Sequence, residues 1–165
     1  MISLSELDIL YQDTITLFNR YIFEDETIWW MPTVLTGVHF VLDRAKVIST
    51  YGEQSTDNVM LHIRYKGGRY SPVIQGKKYL LPKEYRKLDP ASTKSHITFA
   101  FGDDFDFLVN GQWPELKNID GNIDDDVYMN YGGFFNYMNR NYDHVFAITG
   151  VSKYDLLPHF RITAR

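Results

Sequence analysis

The chain has 165 residues, ordinary hydrophobic (44%) and charged (23%) fractions, a formal charge of −4 and no cysteine. This describes one domain with a single core, and it excludes disulfides, thiolate metal sites and cysteine nucleophiles. The acidic balance, with a pI near 5.7, also argues against a domain that grips nucleic acid phosphates through a Lys/Arg-rich face.

Twelve Tyr, eleven Phe and three Trp are the unusual counts. Aromatic side chains suit pleated, half-buried surfaces, and this many leaves aromatic groups over for contacts. The N-terminus, MISLSELDIL, lacks the positive region of a signal peptide. No apolar run approaches the eighteen or so residues of a spanning helix, so the protein is expected in a cytoplasm or in something assembled there.

Ser3 to Asp8 reads as a short helix, with Ser3 and Glu6 as a capping box; residues 1–13 could serve as a docking arm. From Thr14, TITLFNRYIF alternates Ile15, Leu17 and Tyr21 with Thr16, Phe18 and Arg20, a first strand. Glu24, Asp25 and Glu26 form a turn. Two further β segments, IWWM and VLTGVHFVL, are expected to be split at Pro32, and Gly37 marks a bulge or bend of the kind that curls a small sheet into a barrel.

Tyr51 to Asp57 reads as an exposed loop, and NVMLHIRY (58–65) as a strand with Val59, Leu61, Ile63 and Tyr65 on one face. Lys66 to Lys78 is the most basic stretch, with a turn at Gly67-Gly68 and a weak strand at Tyr70 to Ile74. In Tyr79 to Leu88, Pro82 is placed to open one or two helical turns. Ser95 to Asn110, SHITFAFGDDFDFLVN, shows period-two alternation on both sides of Gly102-Asp103-Asp104 and reads as a hairpin with an acidic tip at the centre of the sheet.

Residues 111–126 read as a long acidic loop. Val127 to Asn141 reads as a short, irregular helix across the barrel mouth, weakened by Gly132-Gly133. Tyr142 to Val151 and Pro158 to Ala164 form a closing C-terminal hairpin. The fold expected is therefore mainly β over residues 1–165: a small curled antiparallel sheet or β-barrel with one or two short helices and long loops.

Residues that could carry chemistry do not converge in the sequence. His39, His62, His96, His144 and His159 each stand alone within its own presumed strand, so a metal site would have to be assembled from separate strands. Asp120, Asn122 and Asp124 begin like a calcium loop, but Asp125 and Tyr131 stand where glycine and a bidentate Glu are required. Asp103, Asp104 and Asp106 could pair for acid/base work, but Asp103 and Asp104 read as turn residues that bond local backbone, and ordinary turn chemistry is the expectation. There is no G-x-S-x-G elbow and no phosphate-cradling glycine loop. No catalytic, cofactor-binding or metal-binding residue is assigned, no cofactor is expected, and the chain is not expected to be an enzyme.

Four stretches in order carry a resemblance: TITLFNRY with WW and TGVHF behind it, YLLPKEY, ITFAFGDDFDFLVNG, and DHVFAITGVSKYDLLPHFRITA. The chain resembles the small prophage proteins of Gram-positive bacteria encoded among minor capsid and head–tail joining genes. Ile15, Leu17, Asn19, Trp29, Gly37, Val38, Pro82, Ile97, Phe99, Gly102, Asp103, Val109, Gly111, Asp143, Ile148 and Val151 fill the places of that pattern. Phe18 and the long stretch from Gly111 to Tyr137 depart from it.

The resemblance implies a virion component similar to head-closure proteins: a small β-barrel that self-associates in a ring between portal and tail. Its neighbours would be connector, portal or tail proteins, and packaged DNA would pass through without sequence-specific binding. The loop 111–126 would face the channel or the next ring. A tail terminator or minor capsid protein is an alternative within the same particle. A different class is a binding module for single-stranded nucleic acid or a ligand, which predicts Tyr65, Tyr70 and Tyr79 in one groove with Lys66, Arg69, Lys77 and Lys78.

Overall fold

The computed structural model describes residues 9–42, 59–113 and 121–165. The expected helix over Ser3 to Asp8 and loop over Tyr51 to Asp57 lie outside them. In chain order the strands are β1 (Asp13–Ile22), β2 (Ile28–Leu42), β3 (Val59–Arg64), β4 (Val73–Ile74), β5 (Lys77–Tyr79), β6 (His96–Ile97), β7 (Phe107–Asn110), β8 (Ile123–Asp124), β9 (Val145–Tyr154) and β10 (His159–Ala164). Helix α1 is Pro82–Tyr85, α2 is Phe134–Asn141, and 3-10 turns cover Pro90–Ser95 and Asp125–Tyr131.

The pairing order β1-β7-β9-β10-β3-β2, with β2 returning to β1, closes a six-stranded antiparallel barrel. A small sheet, β4-β5-β6, stands beside it, and β8 extends the flank of β2. Closure depends on two bulges. Between the pairs Ile15↔Leu35 and Asp13↔Val38, β2 spends one residue more than β1, and Gly37 sits there at φ +58°. The inward parity switches at that point, from Met31 and Leu35 before it to Val38, Phe40 and Leu42 after it. The first half of β2 can therefore pair with β1 and the second half with β3.

The second bulge lies between Ile148↔Ala164 and Gly150↔Thr163, and it switches β9 from Phe146 and Ile148 inward to Val151 inward. A side chain at Gly37 would have to hold the left-handed region, so Gly37→Val is expected to cost about 2 kcal/mol. Urea denaturation would register this as a lower midpoint with an unchanged slope.

Several expectations change here. Pro32 does not divide β2, which runs unbroken through it opposite Phe18. The missing N–H is harmless because, among the described residues, no strand pairs with residues 31–38 on the flank away from β1. Part of that flank is covered by the β4–β5 turn instead. Gln75 accepts from the Thr36 N–H (3.2 Å) and donates to the Thr36 carbonyl (2.5 Å), and Lys77 Nζ donates to Thr33 Oγ1 (2.9 Å).

Ser95 to Asn110 is not a hairpin, because its two halves join different sheets: Ile97 pairs in parallel with Tyr79 in the small sheet, while β7 lies between β1 and β9 in the barrel. Phe101, which the alternation places with Ile97 and Phe99, is 57% exposed. Of the acidic stretch 111–126, residues 114–120 lie outside the described residues; in the remainder Trp113 is buried, and Ile123–Asp124 pairs with Trp30 and Trp29 rather than forming loop. Val127 to Asn141 is two pieces, since Gly132 (φ +81°) and Gly133 (φ +113°) end the 3-10 turn before α2 begins.

Hydrophobic packing has three parts. The barrel interior is filled by Ile15, Leu17, Leu35, Leu61, Ile63, Leu108, Ile148 and Ile162. Tyr79, Phe99 and Phe160 form an aromatic triangle at 4.6–5.6 Å between the small sheet and the barrel. A second cluster lies outside the wall, where Phe18, Trp30, Phe107 and Val109 point away from the barrel core and meet Trp113, Phe134 and Met138. Thus α2 covers the outer wall, not the mouth, and β1 is buried on both faces from Ile15 to Asn19. The third cluster, with Tyr21, Met31 and Tyr85, seats α1 over the opposite end of β1, where Tyr21 Oη donates to the Leu88 carbonyl at 2.6 Å.

Candidate functional site

The bulges decide what the barrel shows outside. After Gly37, the outward residues of β2 are His39 and Val41, and their cross-strand partners on β3 are His62 and Met60. Next to β3 comes β10, where His159 faces Arg64 and Arg161 faces His62. On β9, Tyr154 faces His159 and Ser152 faces Arg161. Three histidines that are isolated in sequence therefore become neighbours in space, because antiparallel register sets them on one face.

Their rings form a continuous row. Tyr11 meets His39 edge-on at 6.0 Å, His39 stacks on His62 at 5.6 Å, His62 meets His159 at 5.4 Å, and His159 stacks on Tyr154 at 4.9 Å. The Arg64 guanidinium lies 3.9 Å over the Tyr11 ring, a cation–π contact. Burial, together with the nearby charges of His159, His39 and Arg161, draws the His62 pKa below the usual imidazole value. No Asp or Glu stands at the outward positions of these strands among the described residues. Leu156 and Leu157, 96% and 59% exposed, lie in the turn that continues the wall beyond β9. The wall is thus aromatic and rich in hydrogen-bonding groups.

The acidic groups collect elsewhere. Glu24, Asp25 and Glu26 are exposed in the turn that precedes β2, at the opposite end of that strand from the wall. Asp103 and Asp104 are exposed in the turn before β7, and Asp104 takes ion pairs from Arg20 (3.8 Å) and Arg86 (3.7 Å). Asp106 is wholly buried. It accepts from the backbone N–H of Arg20 (2.7 Å) and of Ala100 (2.8 Å) and from Asn19 Nδ2 (2.9 Å), tying β1 to the segment before β7. The three aspartates are therefore not a catalytic pair: two are surface turn residues, and the third is an internal acceptor. Asp124 accepts from the Asp126 N–H as an ordinary turn residue, and no group of three metal-ligating side chains occurs among the described residues.

The groove expected of a single-strand binder is not assembled. Tyr65 is buried with its hydroxyl donating to Asp155, Tyr79 packs on Phe99 and Phe160, and Tyr70 is 88% exposed. Lys77 Nζ is held by Thr33. His96 and His144 are not part of the ring row. The row itself could have been read from sequence only with the β2–β3 and β3–β10 registers in hand.

A family model described as a family of unknown function, DUF6751, matches residues 10–165, which includes every described strand and both helices. The chain belongs to the DUF6751 family. No curated protein and no solved structure matches it. In this DUF6751 chain the matched span runs from the residue before Tyr11, at one end of the ring row, through Tyr154 and His159 at the other. No helix among the described residues is long and apolar enough to cross a membrane.

Proposed function

We propose that the chain is a structural subunit that joins copies of itself head to tail into a ring, as a head–tail connector of the head-closure kind in a tailed-phage particle. The observation that carries this is polarity. A wall with three imidazoles, Arg161 and exposed leucines stands at one end of β2, and the acidic turn 24–26 stands at the other, on a chain of net charge −4. Unlike surfaces on one protomer favour heterologous contacts, which close into a ring when the rotation divides a full turn. The resemblance of ITFAFGDDFDFLVNG and DHVFAITGV to head–tail joining proteins supplies the particle.

The test is assembly. Light scattering and native mass spectrometry on concentrated protein should show a ring, or cryo-electron microscopy of particles carrying the gene should place the barrel between head and tail. The double substitution H62E/R161E puts two carboxylates on the wall and is expected to weaken association at least tenfold while leaving the monomer folded. Particles that lack the protein, or assembly unchanged by H62E/R161E, would overturn the proposal. A salt-sensitive gel shift with single-stranded oligonucleotide, lost in the same variant, would move the wall to the nucleic-acid reading.

A further inference from the structure

A cleft of about 300 Å³ lies between the outer wall and the start of α2, lined by Arg20, Ile28, Trp30, Phe105, Asp125, Phe135 and Asn136 among others. Arg20 is its centre. The guanidinium carbon lies 4.7 Å from the Trp30 ring centre and 4.8 Å from that of Phe105, so the group is held between two aromatic rings. Its side chain is only 13% exposed. The Nε–H nevertheless finds no acceptor among the described residues, and the nearest carboxylate, Asp104, stands at 3.8 Å from Nη1, beyond hydrogen-bond reach. Burying a guanidinium with one donor unmet and only a long ion pair to Asp104 is costly, and such a group in a native fold has room for a closer partner.

The far side of the cleft is fixed by Asp125. Its Oδ1 accepts from Trp30 Nε1 (2.9 Å) and from the Phe134 N–H (2.8 Å), which locks the Trp30 ring and the first turn of α2 in place. A β-carbon on Gly133 would stand 3.1 Å from both Asp125 carboxylate oxygens, so glycine there keeps the contact open. The remaining walls are apolar: Ile28, Trp30, Phe105 and Phe135.

From this geometry we infer that the Arg20 cleft is a binding site for a carboxylate carried on an apolar or aromatic body, such as an acidic peptide segment with a neighbouring bulky residue. The planar fork of an arginine matches a carboxylate, and the aromatic clamp has already fixed the orientation of that fork. Asp104 and Asp125 flank the position and disfavour a dianion such as phosphate. The inference does not depend on the ring reading, since the cleft lies on the α2 side of the barrel, away from the imidazole row.

Phenylacetate is the probe, followed in nitrogen–proton NMR spectra of the intact chain. Saturable shifts are expected at the Trp30 indole N–H and at the amides of Gly132, Gly133 and Phe135. Phenylacetamide, equal in shape but uncharged, should bind at least tenfold more weakly, and inorganic phosphate should give no saturable shift at these signals. Arg20→Met should remove the phenylacetate response. If that variant loses its dispersed spectrum, the contrast of acid against amide on the wild-type chain decides the question. Equal binding of acid and amide, saturable phosphate binding at the same signals, or phenylacetate shifts confined to other residues would overturn the assignment.

Discussion

Replacing Asp106 by alanine is expected to lower the unfolding free energy by about 3 kcal/mol or more. The carboxylate accepts from the Arg20 and Ala100 backbone N–H groups and from the Asn19 amide, and Asn19 Nδ2 also donates to the Thr98 carbonyl at 2.6 Å. Alanine leaves three buried donors short of an acceptor, at about 1–3 kcal/mol each before any relaxation. The fold depends on this knot because the residues it joins belong to different layers. Arg20 is on β1, Ala100 follows β6 of the small sheet, and Asp106 leads into β7. Asp106→Asn keeps one acceptor oxygen but turns an NH₂ group towards an N–H donor, and is expected to cost about 2 kcal/mol.

The same residue gives a pH signature. Burial pushes the Asp106 carboxyl up to about 7, against the opposing pull of the Arg20 and Ala100 N–H groups and the Asn19 amide. With an unfolded value near 4, the native state holds the proton more tightly across this window, so the contribution to stability is largest at the acid end and falls as pH rises through about 7. Wild type is therefore expected to lose roughly 2–3 kcal/mol relative to Asp106→Asn from pH 5 to pH 8, enough to abolish or reverse the difference between them. The His62 shift acts in the opposite sense, costing stability as pH falls below the ordinary imidazole value, but it is present in both proteins and cancels in the difference. Guanidinium denaturation of both chains at the two pH values is the measurement. A difference that stays flat would mean that its three donors keep Asp106 ionised throughout.

What the sequence made legible follows from where local pattern and tertiary contact agree. The strands β1, β3, β9 and β10, the proline opening α1, and the bulge at Gly37 all carry their own periodicity or turn chemistry, and the mainly β barrel followed from them. The alternation in Ser95 to Asn110 misled because it has two sources. Ile97 and Phe99 are buried against the barrel core from the small sheet, whereas Phe107 is buried against α2 outside the barrel. Period two reports that one side of a strand is covered, not which layer covers it. The ring row was illegible for a related reason. His39, His62 and His159 become neighbours only through two strand registers, and the first of these depends on the extra residue at Gly37. One residue less in β2 would turn His39 inward.

Phe134→Ala is the second large effect expected, and it asks whether the outer layer is a separate cooperative unit. Phe134 is fully buried and touches more rings than its place on a short helix suggests: Phe18 at 5.3 Å, Phe107 at 5.8 Å, Trp113 at 5.5 Å and Tyr128 at 4.9 Å. Truncation leaves a cavity bounded by stiff aromatic walls that cannot collapse into it, so the cost should sit near the upper part of the usual range, about 4 kcal/mol. The eight-residue helix has little stability of its own and is held by this ring together with the Asp125 contact at its N–H. The barrel interior, by contrast, is packed from β1, β2, β3, β7, β9 and β10 without any contribution from α2. Hydrogen exchange in the variant should therefore accelerate strongly over residues 125–141 and far less over Val59–Arg64 and His159–Ala164. Equal acceleration in both regions would mean that wall and helix unfold as one unit. The Arg20 cleft, which borrows one side from α2, would then be as rigid as the barrel itself.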